Sequence, residues 1–416
     1  MQWFSTLSIR QGINNGGNWI NKNRRIILNL IKWIITSVLF LGISFFVLCR
    51  LEVNAHVYIR NWFSPPTVAV VEPLSKCFQK VPKDGPYYQG NQKFTANFVP
   101  GIPVWEAHTC YDFAALFKTQ RYPFHQHQSF HTYWSSNITT DFDEKPLATL
   151  RSFSATQNTN HSLTLWIPAH DESRLTESSG WTRLVQNEKR RDRISYKVID
   201  PSILTKDTPL EDFSSAWRTL VSQDNDGRGR DDLLRMLVLY SYGGIWFDLD
   251  TMLVRDLSPL MEHEWIAQGS CSTGMFGNPF TGALFHFHQK SPYVCEILEG
   301  AADLFKARIQ VEEGGEPPEK RYLINGPEIF GSKLYYRIYR RVLHHGIKPW
   351  SILPWCFTDP SQCKRSNSLP SMFSNTDFDK KRVEQTFAYH WRDRWNAVPG
   401  TIFNTLDSVH RKRTNW

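Results

Sequence analysis

The sequence predicts an α/β protein, a mostly parallel sheet flanked by helices behind one N-terminal membrane-spanning helix. Three observations carry this. From about Ser162 onward, short apolar runs alternate with helical ones, the order that builds parallel sheets. One stretch, Ile26 to Cys49, is almost continuously apolar. Gly243-Gly244 separates a helical run, Asp231 to Tyr242, from Ile245-Trp246-Phe247, which runs on into Asp248-Leu249-Asp250.

The elements follow in chain order. Residues 1–25 hold Arg10, Lys22, Arg24 and Arg25 and no acid. The 24 residues of 26–49 would span about 36 Å as a helix, enough for a bilayer core. That stretch is too long for the apolar core of a cleaved signal, and Arg50-Leu51-Glu52 follows instead of a small-residue cleavage site. Positive charge on the N-terminal side gives a type II topology, with 1–25 cytosolic, 26–49 the signal anchor and the rest lumenal. Residues 50–155 are rich in Pro, aromatics and Ser/Thr/Asn without a sustained period, and read as a stem and accessory region. Its His125, His127 and His131 lack the partner spacing of a metal site. The catalytic domain is expected over 156–400. Within it Leu163–Ile167, Ile194–Ile199 and Trp265–Ala267 read as strands, and Trp350–Trp355 as a short extended piece. Gly180–Arg191, Asp212–Val221, Ser291–Lys306 and Gly331–Leu343 read as helices. Residues 401–416 read as a basic tail ending in Arg411-Lys412-Arg413.

The formal charge is +8, half of it in the first 25 residues, and the remainder is no nucleic-acid footprint. Beyond the span stand Cys77, Cys110, Cys271, Cys295, Cys356 and Cys363, an even number that suits an oxidising lumen. Of the roughly 15 ways to pair six cysteines, only Cys356 with Cys363, close in sequence, suggests itself as a local bridge. Asn137-Ile138-Thr139 and Asn160-His161-Ser162 are N-glycosylation acceptors in polar stretches.

Two pairs of residues carry chemistry. In an extended segment alternate side chains share a face, so Asp248 and Asp250 point together, about 7 Å apart by strand rise. Two such acids can share one hard divalent cation, and the cation can hold a diphosphate. Asp232 and Arg235 are three apart on a helix otherwise dressed in Leu and Met. A charged pair on an apolar helix needs a partner, and a sugar's hydroxyls are one candidate.

On Asp232-Leu-Leu-Arg235, Gly243-Gly244 and Asp248-Leu-Asp250 the chain resembles the glycosyltransferases with a DXD sugar-binding region. That broad, family 32-like group includes α1,6-mannosyl-, inositolphosphoceramide mannosyl- and α1,4-galactosyltransferases, and the resemblance covers about residues 160 to 400. It implies a GT-A type, Rossmann-like fold and a Golgi membrane enzyme. It also implies Mn²⁺, with Mg²⁺ the alternative, a nucleotide-sugar donor (UDP-hexose or GDP-mannose) and a glycan or glycolipid acceptor. By the same resemblance Asp250 ligates the metal directly, and Asp248 meets metal through water and the ribose. His390, in Ala388-Tyr-His390-Trp391, binds metal or diphosphate, and Trp391 or Trp395 closes over the donor. Trp166 stands where some relatives stack the nucleotide base, a position that core packing suits equally. Gly326 lies in the Asn325-Gly326-Pro327-Glu328 turn, which family position puts beside the acceptor and which is counted with the donor site. The family retains anomeric configuration, implying an α-linked product. No carboxylate identifies itself as a nucleophile, so same-face displacement is expected, with the donor phosphate helping to deprotonate the acceptor. The alternative is a noncatalytic glycan-binding or chaperone-like relative, against which the four intact charged residues argue.

Overall fold

The computed structural model describes residues 26–44, 72–88, 109–119, 126–139, 141–187, 192–223, 228–269, 280–312, 330–361 and 368–415. The chain divides into two units, Met1–Val70 and Val71–Trp416. In the first, Ile26–Ser44 is a 19-residue helix of mean hydropathy 2.2, long and apolar enough to cross a membrane. The tail before it and residues 45–49 lie outside the described residues.

The second unit is built on a seven-stranded sheet. Its strands are β1 (Ser129–Tyr133), β2 (Ser162–Ile167), β3 (Ile194–Val198), β4 (Gly244–Phe247), β6 (Trp265–Gln268), β7 (Phe280–Phe287) and β8 (Ser351–Leu353). The spatial order is β3-β2-β1-β4-β7-β6-β8. Every neighbouring pair is parallel except the two that β7 makes, so β7 alone runs against the rest. A two-stranded ribbon pairs β5 (Thr251–Leu253) with β9 (Ala388–His390).

The sheet separates two cores. Phe130, Leu163, Leu165, Ile245 and Phe247 face one, which the Glu144–Thr156 helix closes with Leu147, Leu150 and Phe153. Trp166, Trp246 and Phe285 face the other, covered by the helices Arg228–Tyr242, Pro292–Glu312 and Ser332–His344. This is the α/β class expected, helices on both faces of a mostly parallel sheet.

Four expectations are corrected. β1 lies within residues 50–155, the expected stem and accessory region, yet sits centrally between β2 and β4. Buried along nearly its whole length, β1 has none of the polar alternation that marks a half-exposed strand. Cys356 does not pair with Cys363: among the described residues the bridges are Cys110–Cys356 and Cys77–Cys295. Cys356 lies in the short Trp355–Thr358 helix and is fully buried, which turns it inward to the start of the Cys110–Leu116 helix. Cys271 and Cys363 lie outside the described residues. Residues 401–416 are no free tail, because Thr401–Thr414 is a helix that buries Ile402, Phe403, Leu406 and His410. It is also tied at its middle, Asp407 to buried Arg151 at 2.8 Å. Finally, the strand carrying the DXD residues ends at Phe247, and a turn follows.

Candidate active site

The site is assembled where β4 ends and the chain changes sheets. Gly243 and Gly244 both take positive φ, 65° and 96°, which lets the Arg228–Tyr242 helix turn directly into β4. At Gly244 a Cβ would overlap the carbonyl oxygen of Ser129 in β1, so glycine is needed for strand approach as well as for the turn. Beyond Phe247 the Thr251 N–H bonds the Asp248 carbonyl at 3.0 Å, closing a turn over Asp248-Leu249-Asp250. The chain then enters β5, where Thr251 lies opposite His390 and the Trp391 N–H donates to the Asp250 carbonyl at 2.9 Å. Convergence of the two acids therefore comes from a turn and a second ribbon, not from strand alternation.

Asp248, Asp250 and His390 each offer a ligand atom, and these atoms lie within 4.8 Å of one another. His390 Nε2 is 3.2 Å from Asp250 Oδ2, which also accepts the Asp393 backbone N–H at 2.7 Å. Asp250 Oδ1 is buried and accepts no hydrogen bond among the described residues. A buried carboxylate oxygen left without a donor is costly, and a cation is one way to satisfy it. Two carboxylates and an imidazole suit a divalent ion, so this group can hold one. The electrostatics are asymmetric. Burial pushes the Asp248 carboxyl up, and the nearby Asp250 charge adds to this while Arg235 opposes it. Burial would raise Asp250 too, but His390 and the Asp393 N–H outweigh it and hold it low. His390 is raised well above the usual histidine range because Asp250 and Asp359 together overcome the cost of its burial.

Arg235 links this group to the helix. Its guanidinium pairs with Asp232 at 3.2 Å and Asp248 at 3.6 Å, and Nη1 donates to the Gly282 carbonyl at 2.6 Å. Burial alone would lower its pKa, but Asp248 and Asp232 raise it above the ordinary arginine value, so it stays charged. Asp248 Oδ1 additionally accepts the Trp246 indole N–H at 2.8 Å. Two glycines leave room for these side chains: a Cβ at Gly282 would overlap Arg235 Nη1, and one at Gly331 would overlap the Asp232 carboxylate.

The structure thus brings Asp232, Arg235, Asp248, Asp250 and His390 into one constellation. Trp166 and Trp391 are not surface rings. Trp166 is 2% exposed, donates to His131 Nδ1 at 3.3 Å and packs against Tyr242, with Lys197 over its face. Trp391 is 4% exposed, its ring set among Phe373, Trp395 and Phe403. Gly326 lies outside the described residues. Asn137 and Asn160 are both exposed, in or beside turns. Sequence reasoning passed over Asp359, Asp393, Gly282 and Gly331. No local spacing ties Gly282, Gly331, Asp359 or Asp393 to the DXD residues.

Residues 152–269 match the family described as a glycosyltransferase sugar-binding region containing the DXD motif. An uncharacterized protein of Arabidopsis thaliana, At4g19900, is 31% identical over 112 residues, 25% of this chain and 16% of that protein. The chain therefore spans less than a fifth of that relative's length. Among solved structures, the PaToxG glycosyltransferase is 14% identical with a TM-score of 0.35, over 56% of this chain and 76% of that one. Apo mouse xyloside xylosyltransferase 1 is 11% identical with a TM-score of 0.34, over 66% of this chain and 100% of that one. The UDP-bound glycosyltransferase domain of the YGT toxin is 9% identical with a TM-score of 0.32, over 55% and 79%. The DXD-containing match spans β2 through β6, and with them the turn that holds Asp248 and Asp250.

Proposed function

On the premise that residues 152–269 form a DXD-type glycosyltransferase region, we propose that the chain is a membrane-anchored, metal-dependent hexosyltransferase. It takes a hexose from a nucleotide-sugar donor, UDP-hexose or GDP-mannose, and transfers it with retention to a glycan or glycolipid. The observation that carries this reading is the buried Oδ1 of Asp250, without a partner among the described residues and within reach of Asp248 and His390. Those three residues would hold the ion, and the imidazole in the donor set favours Mn²⁺ over Mg²⁺. When bound, such an ion offsets the negative charge that builds on the departing diphosphate. The protein groups do the rest. Arg235 steadies Asp248 from the helix side, and the Asp393 N–H steadies Asp250. Asp232 and Arg235 are assigned to the hexose hydroxyls. By the resemblance, Trp166, Trp391 and Gly326 are assigned to the donor site.

Three features support a lumenal, Golgi-type setting with type II topology. The Ile26–Ser44 helix is preceded by Arg10, Lys22, Arg24 and Arg25. Cys77–Cys295 and Cys110–Cys356 suit an oxidising compartment. Asn137 and Asn160 are accessible to glycosylation.

The test is a panel of nucleotide sugars assayed for hydrolysis and transfer with Mn²⁺, with and without EDTA. At least one donor should turn over, lose activity in EDTA and regain it with Mn²⁺. No turnover with any donor, together with retained glycan binding, would replace this reading with a noncatalytic glycan-binding relative.

A further inference from the structure

Asp359 is fully buried, and the chemistry proposed above gives it no direct task. Its Oδ1 accepts from His390 Nδ1 at 3.2 Å and from Arg392 Nε at 3.1 Å, and its Oδ2 lies 3.4 Å from the same Nδ1. The carboxylate is set in place by backbone and covalent bonds. Its own N–H donates to the Trp355 carbonyl at 2.7 Å, closing the Trp355–Thr358 helix, which Cys110–Cys356 anchors. One residue from the cystine, the Phe357 carbonyl accepts the N–H of Phe387 at 2.9 Å, immediately before β9. The segment bearing the carboxylate is thus tied to the strand bearing the imidazole.

Resting on the proposed metal site, we infer that Asp359 is a positioning residue that orients His390 as a ligand. The reason is the two-sided chemistry of imidazole. An acceptor at Nδ1 requires the proton there, which leaves the lone pair of the neutral ring on Nε2. Nε2 is the atom that faces Asp250, 3.2 Å from its Oδ2. Service to Arg392 alone does not explain the burial. The Arg392 side chain is 41% exposed and also donates to the Gly269 carbonyl, and a half-exposed arginine has no need of a wholly buried carboxylate. Arg392 and Asp393 both take left-handed φ, 55° and 57°, a conformation unfavourable outside glycine. That kink lets one short segment hold Asp359 through Arg392 and Asp250 through the Asp393 N–H.

The experiment measures binding of Mn²⁺ alone to the full-length chain in detergent, from loss of the free-ion electron paramagnetic resonance signal. Asp359→Asn should weaken Mn²⁺ binding 10- to 100-fold, the range typical of residues that orient a ligand. His390→Ala should weaken it at least as much. Adding Asp359→Asn to His390→Ala should change nothing more, because the aspartate acts through the imidazole. Unchanged affinity in Asp359→Asn, or a loss that repeats in full in the His390→Ala background, overturns the inference. Asp250→Asn separates the premise: if it binds Mn²⁺ like the wild type, the ion sits elsewhere and both readings fall. Should Asp359→Asn not fold, histidine ¹⁵N–¹H long-range spectra of the wild-type chain with Cd²⁺ decide the matter. The resonance absent from His390→Gln should show protonated Nδ1 and metal-shifted Nε2, and the opposite tautomer overturns the proposal.

Discussion

At the scale of single residues, the two DXD carboxylates are unequal. The Asp250 side chain is 6% exposed, bonded through Oδ2 and, among the described residues, without a partner at Oδ1, whereas that of Asp248 is 28% exposed and held by Trp246 and Arg235. Asp250→Asn should therefore weaken joint binding of Mn²⁺ and nucleoside diphosphate more than Asp248→Asn does, with the fold retained. Calorimetric titration checks this, and equal or reversed losses contradict the assignment. The helix pair gives a second expectation. Asp232→Asn keeps the shape but removes the charge facing Arg235, and turnover should fall at least tenfold, about 1.4 kcal/mol of barrier, while nucleotide alone still binds. Undiminished transfer would leave Asp232 a purely structural partner of Arg235. Arg235 itself makes a poor probe as alanine, since its loss removes a buried cation paired with both Asp232 and Asp248 and so perturbs stability as well as chemistry.

At the scale of elements, the glycine hinge is the sensitive joint. Gly244→Ala demands a positive φ from an L-residue and places a methyl on the Ser129 carbonyl. It should cost at least about 2 kcal/mol, read as a lowered denaturant midpoint; a neutral substitution would mean that β1 and β4 can part there without penalty. The helix–Gly-Gly–strand order was legible because it is local: apolar periodicity over Asp231–Tyr242 and two glycines before an apolar run suffice. Residues 163–167, 194–198 and 265–267 were legible for the same reason. β7 was not, although it is the longest strand of the sheet. Phe280-Thr281-Gly282-Ala283 opens on a small, broken pattern, and the strand earns its place by lying between β4 and β6. The Thr401–Thr414 helix was hidden behind its terminal basic residues, although Ile402, Phe403 and Leu406 mark its buried face.

At the scale of the second unit, two long-range bridges among the described residues and several buried histidines contribute to stability. Cys77–Cys295 and Cys110–Cys356 close loops with sequence separations of 218 and 246. In the chain-entropy picture each such closure contributes about 5 kcal/mol. Replacing Cys77 and Cys295 together by serine should lower Tm clearly, and an unchanged Tm would mean that the bridge constrains nothing in the unfolded chain. The depressed histidines contribute to the pH response with a definite sign, opposite to that of His390, whose pKa is raised. Burial pushes His131, His161 and His410 down to about 4 and His286 to about 3. The folded chain then binds fewer protons than the unfolded chain between about pH 6.5 and 4. This stability is fully present above about pH 6.5 and is lost as pH falls toward 4, on the order of 3 kcal/mol for fully buried His131. Denaturant midpoints at pH 7.5 and 4.5 test it, and a midpoint that rises on acidification contradicts it.

Local pattern by itself determined the α/β class, the apolar N-terminal helix and the presence of Asp232, Arg235, Asp248 and Asp250 close together in the chain. These are properties of neighbours within one or two turns of backbone, where periodicity and spacing carry the information. Only the tertiary structure decided that β1 is central, that Cys356 meets Cys110, and that Asp359 stands behind His390. His390 lies 140 residues beyond Asp250 yet faces it across β5 and β9. Such pairings are set by which buried faces fit together, and no short window of sequence contains both partners.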